Sequence, residues 1–97
     1  MSQPMTPSFD DVRRVLHDHL VHEILLRPEP LGPDTDLFEA GFDSLSLTRV
    51  LVFVEDRFGL RIPDEEVVVD ELSTLERMAR FVTVRIEAAA VSAGGRR

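Results

Sequence analysis

The sequence predicts an all-α bundle of three main helices and one short helix, with a long loop between the first two. Apolar residues recur at three- and four-residue spacing in three stretches, which is the pattern of one buried helix face. Prolines and glycines fall between these stretches or near the chain ends, where they punctuate helices. A chain of 97 residues provides one small domain with a single core.

The first helix is predicted to begin after Ser8, which can cap it, with Asp10 and Asp11 in the first turn. Pro28 and Pro30 are predicted to end it. Its apolar stripe consists of Val12, Leu16, Leu20 and Ile24.

The second helix is predicted to open at Asp43 or Ser44, to run to about Phe58 and to stop at Gly59. Its valine content also permits a strand on propensity alone. The length of the run and its four-residue apolar repeat favour the helix. The preceding residues, 27–43, are predicted to form a long ordered loop.

A short helix is predicted near Pro63, with acidic residues in its first turn. Ser73 and Glu76 match a capping box for the last helix, if Ser73 is the cap. The domain is expected to span residues 8–87, between a flexible lead at 1–7 and a disordered tail at 88–97. The predicted core is Val12, Leu16, Leu20, Phe38, Val50, Val54, Phe58, Ile62, Leu75, Ala79 and Val82.

Composition removes several classes of function. The absence of cysteine excludes disulfides, thiolate metal sites and a cysteine nucleophile. A net charge of −7 argues against nucleic acid or an anionic membrane as the main partner. No apolar run approaches the roughly 20 residues of a membrane span, and no secretory signal opens the chain. We therefore expect a cytoplasmic monomer.

One segment combines a glycine pivot with the start of a helix, and it reads Gly41-Phe42-Asp43-Ser44-Leu45. Free backbone N–H groups and the positive end of the helix dipole favour an anion at such a position. A phosphodiester on the Ser44 hydroxyl would be well placed there. The alternative is that Asp43 or Ser44 is only a helix cap.

The wider pattern resembles the acyl carrier protein family. The resemblance runs from the first helix to about Val84, and its motifs keep the family's order and spacing. They are Asp36-Leu37-Phe38, residues 41–45, Glu55, Phe58-Gly59 and Ile62-Pro63-Asp64-Glu65-Glu66. The resemblance implies the family's helical bundle and a non-catalytic carrier.

The resemblance also implies roles for individual residues. Ser44 is expected to hold a covalent 4′-phosphopantetheine, with Asp43 and Leu45 recognised by a phosphopantetheinyl transferase. The other expected partners are an acyltransferase, an acyl- or aminoacyl-loading ligase or a ketosynthase. In such carriers part of the core can loosen around an acyl chain, and Phe53 is a candidate to limit that space. The motif looks closer to the acyl type, and aminoacyl cargo stays open.

The partner face departs from the fatty-acid members, which usually present acids along the second helix. Arg49 stands where an acid is common, which predicts dedicated partners, as in polyketide or antibiotic biosynthesis. Arginine in place of every lysine fits a GC-rich genome and the same setting. The candidate partner-binding residues are Arg49, Val52, Glu55, Asp56, Asp64, Glu65 and Glu66.

Other readings are weaker. The histidines between His17 and His22 suggest a metal site, but surface histidines explain them more simply and no metal is expected. A calcium loop at Asp34 fails because Glu39 replaces the required glycine. A hydrolase lacks its nucleophile elbow. The alternative function is a small helical adaptor without a cofactor, and a three-helix DNA-binding domain is opposed by the charge.

Overall fold

The computed structural model describes residues 7–26, 29–32 and 34–95. Three α-helices account for most of this part of the chain: α1 (Phe9–His19), α2 (Ser44–Phe58) and α3 (Leu75–Gly95). A π-helix, Leu20–Ile24, follows α1 directly, and two 3₁₀ turns, Asp64–Glu66 and Val69–Leu72, lie between α2 and α3. No strand occurs among the described residues, and the prediction of an all-α bundle is confirmed.

The start of α1 agrees with its prediction, and its end does not. Ser8 caps the helix by accepting the Asp11 N–H, and the Asp11 carboxylate accepts the Ser8 N–H in return. The regular helix ends at His19, well before the prolines predicted to stop it. The π-helix then widens the coil, and Leu26 leaves it with a positive φ of 51°. Pro28 lies outside the described residues.

Glycine ends α2 as predicted. Gly59 adopts the left-handed conformation at φ 66°, which a residue with a side chain rarely takes. The Gly59 and Leu60 N–H groups both donate to the carbonyl of Glu55. The second helix therefore has the extent that the sequence predicts, and the strand alternative is wrong.

The connection from α2 to α3 corrects two predictions. The short helix is a 3₁₀ turn entered from Pro63, and a second 3₁₀ turn that was not predicted follows it. The cap of α3 is Thr74, whose hydroxyl oxygen accepts the Arg77 N–H at 3.1 Å. Ser73 instead donates its hydroxyl to the Asp70 carbonyl. The cap is therefore one residue later than predicted, and the predicted capping box of Ser73 and Glu76 does not form, because the third helical position is Arg77.

The C-terminal prediction also needs correction. Helix α3 continues to Gly95, so residues 88–95 are helical where a disordered tail was expected. Half of that segment is alanine, the best helix former, which extends a helix already nucleated by packing. Residues 96 and 97, and residues 1–6 of the predicted lead, lie outside the described part.

The core forms where α1 packs against α3, with the π-helix against α2. Nine of the eleven predicted core residues are buried, while Phe38 and Phe58 are half-buried against the core. The buried apolar residues outside that set are Val21, Leu31, Leu37, Phe42, Leu72, Met78, Phe81 and Ile86. Within the described residues, no helix is both long and apolar enough to cross a membrane.

Candidate functional site

The loop before α2 is fixed to the core by two buried side chains. Leu37 is fully buried, and its N–H donates to the Ser73 carbonyl at 2.8 Å, which ties the loop to the start of α3. Phe42 is 2% exposed and donates its N–H back to the Leu37 carbonyl. The centroid of the Phe42 ring lies 5.5 Å from the centroid of the Phe38 ring. These contacts set the position from which the chain enters α2.

A positive φ of 107° at Gly41 makes the turn into this helix. An L side chain rarely adopts that conformation, so the glycine is required by the backbone. The turn buries Phe42 and leaves the next three residues, Asp43, Ser44 and Leu45, exposed. Phe42 is not among the core residues that the sequence predicts, although it is the buried side chain nearest to Ser44 along the chain.

Asp43, and not Ser44, caps α2. Its Oδ1 accepts the Ser46 N–H at 2.8 Å, in the geometry of an N-cap. This hydrogen bond is the main reason that the pKa of Asp43 lies below its ordinary value. Asp43 therefore contributes a negative charge beside Ser44 at neutral pH.

Ser44 is the first residue of α2, and its side chain is exposed. Its backbone carbonyl accepts from the Thr48 hydroxyl at 3.2 Å. Among the described residues, none forms a hydrogen bond with the Ser44 hydroxyl. This oxygen is free for covalent modification, and it sits at the positive end of the helix dipole.

Beyond Ser44, the outer face of α2 is apolar with one positive charge from Leu45 to Val52, and Asp56 adds a negative charge near the end of the helix. Leu45 is 69% exposed and Val52 is 60% exposed, and Arg49 lies on the same face. The opposite face of the helix carries Val50 and Val54, both buried. Leu45, Arg49 and Val52 therefore share one exposed face of α2, which begins at the residue after Ser44.

The predicted acidic partner residues occupy different environments. The Glu55 carboxylate accepts the Ile62 N–H at 2.8 Å, so it holds the chain that follows α2. Glu66 pairs with Arg85 of α3. Asp56, Asp64 and Glu65 are exposed, with no ion-pair partner in the described part of the chain.

Two of the three histidines have structural contacts that a surface position does not explain. His17 Nε2 accepts the Leu31 N–H at 3.1 Å, which links α1 to the loop. The His19 ring stacks on Phe53 with centroids 3.7 Å apart. Burial lowers the pKa of His19, and the charge of Arg49 lowers it further against the opposing effect of Glu23. Phe53 thus faces the end of α1.

The described residues contain no candidate metal site, and the cavity along α3 does not include Ser44. No cluster of three potential metal ligands occurs there. A cavity of about 700 Å³ runs along α3 and is lined by Arg77, Phe81 and Val84 among others. Ser44 does not line it, so the candidate site is the exposed start of α2.

Comparison with known proteins shows which family the chain resembles. The family model described as "Phosphopantetheine attachment site" matches residues 15–82. The acyl carrier protein of Streptomyces coelicolor is 32% identical over 96 residues, covering 92% of this chain and 97% of that protein. The acyl carrier protein of Wolinella succinogenes is 28% identical over 75 residues, covering 76% and 91% respectively. No solved structure gives a significant match.

Proposed function

The chain belongs to the acyl carrier protein family and carries a covalent 4′-phosphopantetheine, and we propose that Ser44 is the residue that holds this group. The observation that carries the proposal is the free, exposed Ser44 hydroxyl at the first position of α2. A phosphodiester on this oxygen would lie near the unpaired N–H groups of the helix start. The residues present therefore fit the group.

The neighbours of Ser44 have separate roles in this proposal. Asp43 supplies the cap, so the helix needs nothing from the serine hydroxyl. The Asp43 carboxylate and the exposed Leu45 side chain are proposed to be recognised by the phosphopantetheinyl transferase. Phe42, buried just before them, holds the loop so that these groups keep their orientation.

The arm supplies a thiol, which explains how a chain without cysteine can hold an acyl group as a thioester. A tethered group reaches the active site of a docked enzyme at high effective concentration. We propose that the chain acts as a cytoplasmic, monomeric carrier without catalytic activity of its own. Its domain is proposed to span residues 8–87, a range that contains the matched residues 15–82.

The biosynthetic setting is a narrower proposal. We infer secondary metabolism of the polyketide or antibiotic type, with an acyl or aminoacyl cargo. Arg49 supports this inference, since it puts a positive charge in the middle of the outer face of α2. The partners proposed are an acyltransferase, a loading ligase or a ketosynthase. The partner face is proposed to include Arg49, Val52, Glu55, Asp56, Asp64, Glu65 and Glu66, of which Glu55 also holds the chain after α2 and Glu66 also pairs with Arg85.

Intact-protein mass spectrometry after co-expression with a promiscuous phosphopantetheinyl transferase tests the attachment site. The wild-type chain is expected to gain one arm, and Ser44→Ala is expected to gain none. Ser46→Ala is the matched control, because it keeps the backbone N–H that Asp43 accepts and removes a hydroxyl two residues away. An arm on Ser44→Ala would contradict the assignment. An unmodified wild type would favour the helical adaptor.

A further inference from the structure

The outer face of α2 differs in charge from the acidic chain as a whole. Leu45, Arg49 and Val52 share this face by helical spacing, and all three are exposed. Asp56 joins them only near the end of the helix. We call Leu45, Arg49 and Val52 the α2 face. It carries one positive charge between two apolar side chains, in a protein of net charge −7.

Most arginines in the described part of the chain already have a partner. Four form ion pairs, Arg77 donates to the Asp70 carbonyl, and Arg57 lies over the ring of Phe58. The ion-paired residues are Arg13, Arg14, Arg80 and Arg85. Arg49 and Arg61 have none of these contacts in the described part of the chain, and Arg49 is the one of the two that lies on α2.

The sequence of α2 explains why Arg49 has no partner. Intrahelical ion pairs form at three- or four-residue spacing, and the residues at those positions are Leu45, Ser46, Val52 and Phe53. Glu55, the nearest acid along the helix, is committed to the Ile62 N–H. The Arg49 charge instead acts on His19, whose pKa it helps to lower. Arg49 therefore presents an uncompensated positive charge to whatever docks beside Ser44.

The acids are concentrated in a different segment. Residues 64–71 contain Asp64, Glu65, Glu66, Asp70 and Glu71 and no basic residue. Only Glu66 has an ion-pair partner among the described residues. The surface thus has an acidic segment, residues 64–71, and a separate α2 face that is apolar and positive.

We infer that the α2 face docks a partner enzyme that presents a carboxylate opposite Arg49 beside an apolar depression for Leu45 and Val52. A basic patch that recognises acidic carriers would instead meet a like charge at Arg49. Charges at the rim of an interface set the association rate and exclude wrong partners. The α2 face is therefore a specificity determinant, and this inference rests on the proposed function.

A charge-swap experiment tests the inference. The probe is a fatty-acid-type ketosynthase with a basic docking patch, together with a variant whose patch residues are changed to glutamate. The carrier is loaded with an arm that ends in a crosslinking electrophile, and the initial rate of crosslinking is measured at low salt. The wild-type carrier is expected to react faster with the acidic-patch enzyme by on the order of tenfold. Arg49→Glu is expected to reverse the preference.

Arg57→Glu is the matched control, since it makes the same charge change on the same helix, away from the α2 face. Like the wild type, the Arg57→Glu carrier is expected to crosslink faster with the acidic-patch enzyme. Equal rates for Arg49→Glu with both enzymes, or no crosslink to either enzyme, would overturn the inference. Mass spectrometry before the assay separates the two proposals. A carrier without an arm contradicts the proposed function, whereas a loaded carrier with no charge preference contradicts only the docking inference.

Discussion

The starts of α1 and α2 use the same two residue types in opposite roles. At α1 the serine is the cap, because Ser8 accepts the Asp11 N–H and is therefore held in the structure. At α2 the aspartate is the cap, because Asp43 accepts the Ser46 N–H and Ser44 moves into the first helical position. In this protein the Ser44 hydroxyl is left available for chemistry because its neighbour Asp43 caps the helix.

At the start of α3, as at the start of α1, the cap is a hydroxyl side chain. Thr74 accepts the Arg77 N–H, and the Ser73 hydroxyl donates to the Asp70 carbonyl. Of Ser8, Ser44 and Ser73, Ser44 is the one whose hydroxyl has no hydrogen-bond partner among the described residues. The free Ser44 hydroxyl thus supports the proposed attachment site independently of any family motif.

The largest expected effect comes from removing the cap at α2. In Asp43→Ala the N-cap acceptor is lost, and Ser44 becomes the nearest side chain able to replace it. The serine hydroxyl is then drawn into the structure, and the charge beside it disappears. We expect arm loading by the transferase to slow by on the order of tenfold. The melting temperature should fall by a few degrees. Mass spectrometry over time and thermal unfolding measure the two effects.

Asp43→Asn separates the cap from the charge. Asparagine caps helices about as well as aspartate, so the thermal stability should stay close to that of the wild type. Loading should still be slower if the transferase reads the carboxylate. If Asp43→Ala loads as fast as the wild type, the cap does not control the availability of Ser44, and the comparison between α1 and α2 loses its functional meaning.

A smaller and purely structural effect is expected at α1. Ser8→Ala removes the cap acceptor for the Asp11 N–H, which typically costs about 1 kcal/mol of unfolding free energy. Arm loading should be unchanged, because this helix start has no proposed contact with the transferase. Urea unfolding and the loading assay measure the two quantities on the same sample. A loading defect in Ser8→Ala would show that the two helix starts are not independent.

The sequence predicted the helices more accurately than the details that decide the site. Periodic apolar spacing locates α1 and α2, and Ser8 and Gly59 mark two of their boundaries. The sequence does not show whether Asp43 or Ser44 is the cap, since both residue types cap helices well. That choice depends on the entry angle of the chain, which the buried Phe42 sets from outside the helix.

The loop shows why a core residue can be missed. Leu37 and Phe38 are adjacent and both apolar, and Phe38 was the predicted core residue. The structure buries Leu37 completely and leaves Phe38 half-buried. An irregular loop has no period from which the inward direction can be read. The hydrogen bond from the Leu37 N–H to Ser73 fixes that direction, and it joins residues 36 positions apart.

The smallest expected effect is a shared response to acid. Hydrogen bonds from backbone N–H groups lower the pKa of both Asp11 and Asp43 below the ordinary aspartate value of 3.8. A carboxyl whose pKa is lower in the folded state stabilises the fold fully above its unfolded pKa, and this contribution is lost as the pH falls through the folded value. Asp11→Asn and Asp43→Asn should therefore each lose less stability than the wild type between pH 7 and pH 3, as measured by urea unfolding. Only Asp43→Asn should also slow loading at pH 7. The contradicting result is an Asp43→Asn variant with the full acid sensitivity of the wild type, beside an Asp11→Asn variant with reduced sensitivity. The carboxylate of Asp43 would then not stabilise α2 as a charged cap. The two helix starts would differ only in the geometry of their caps.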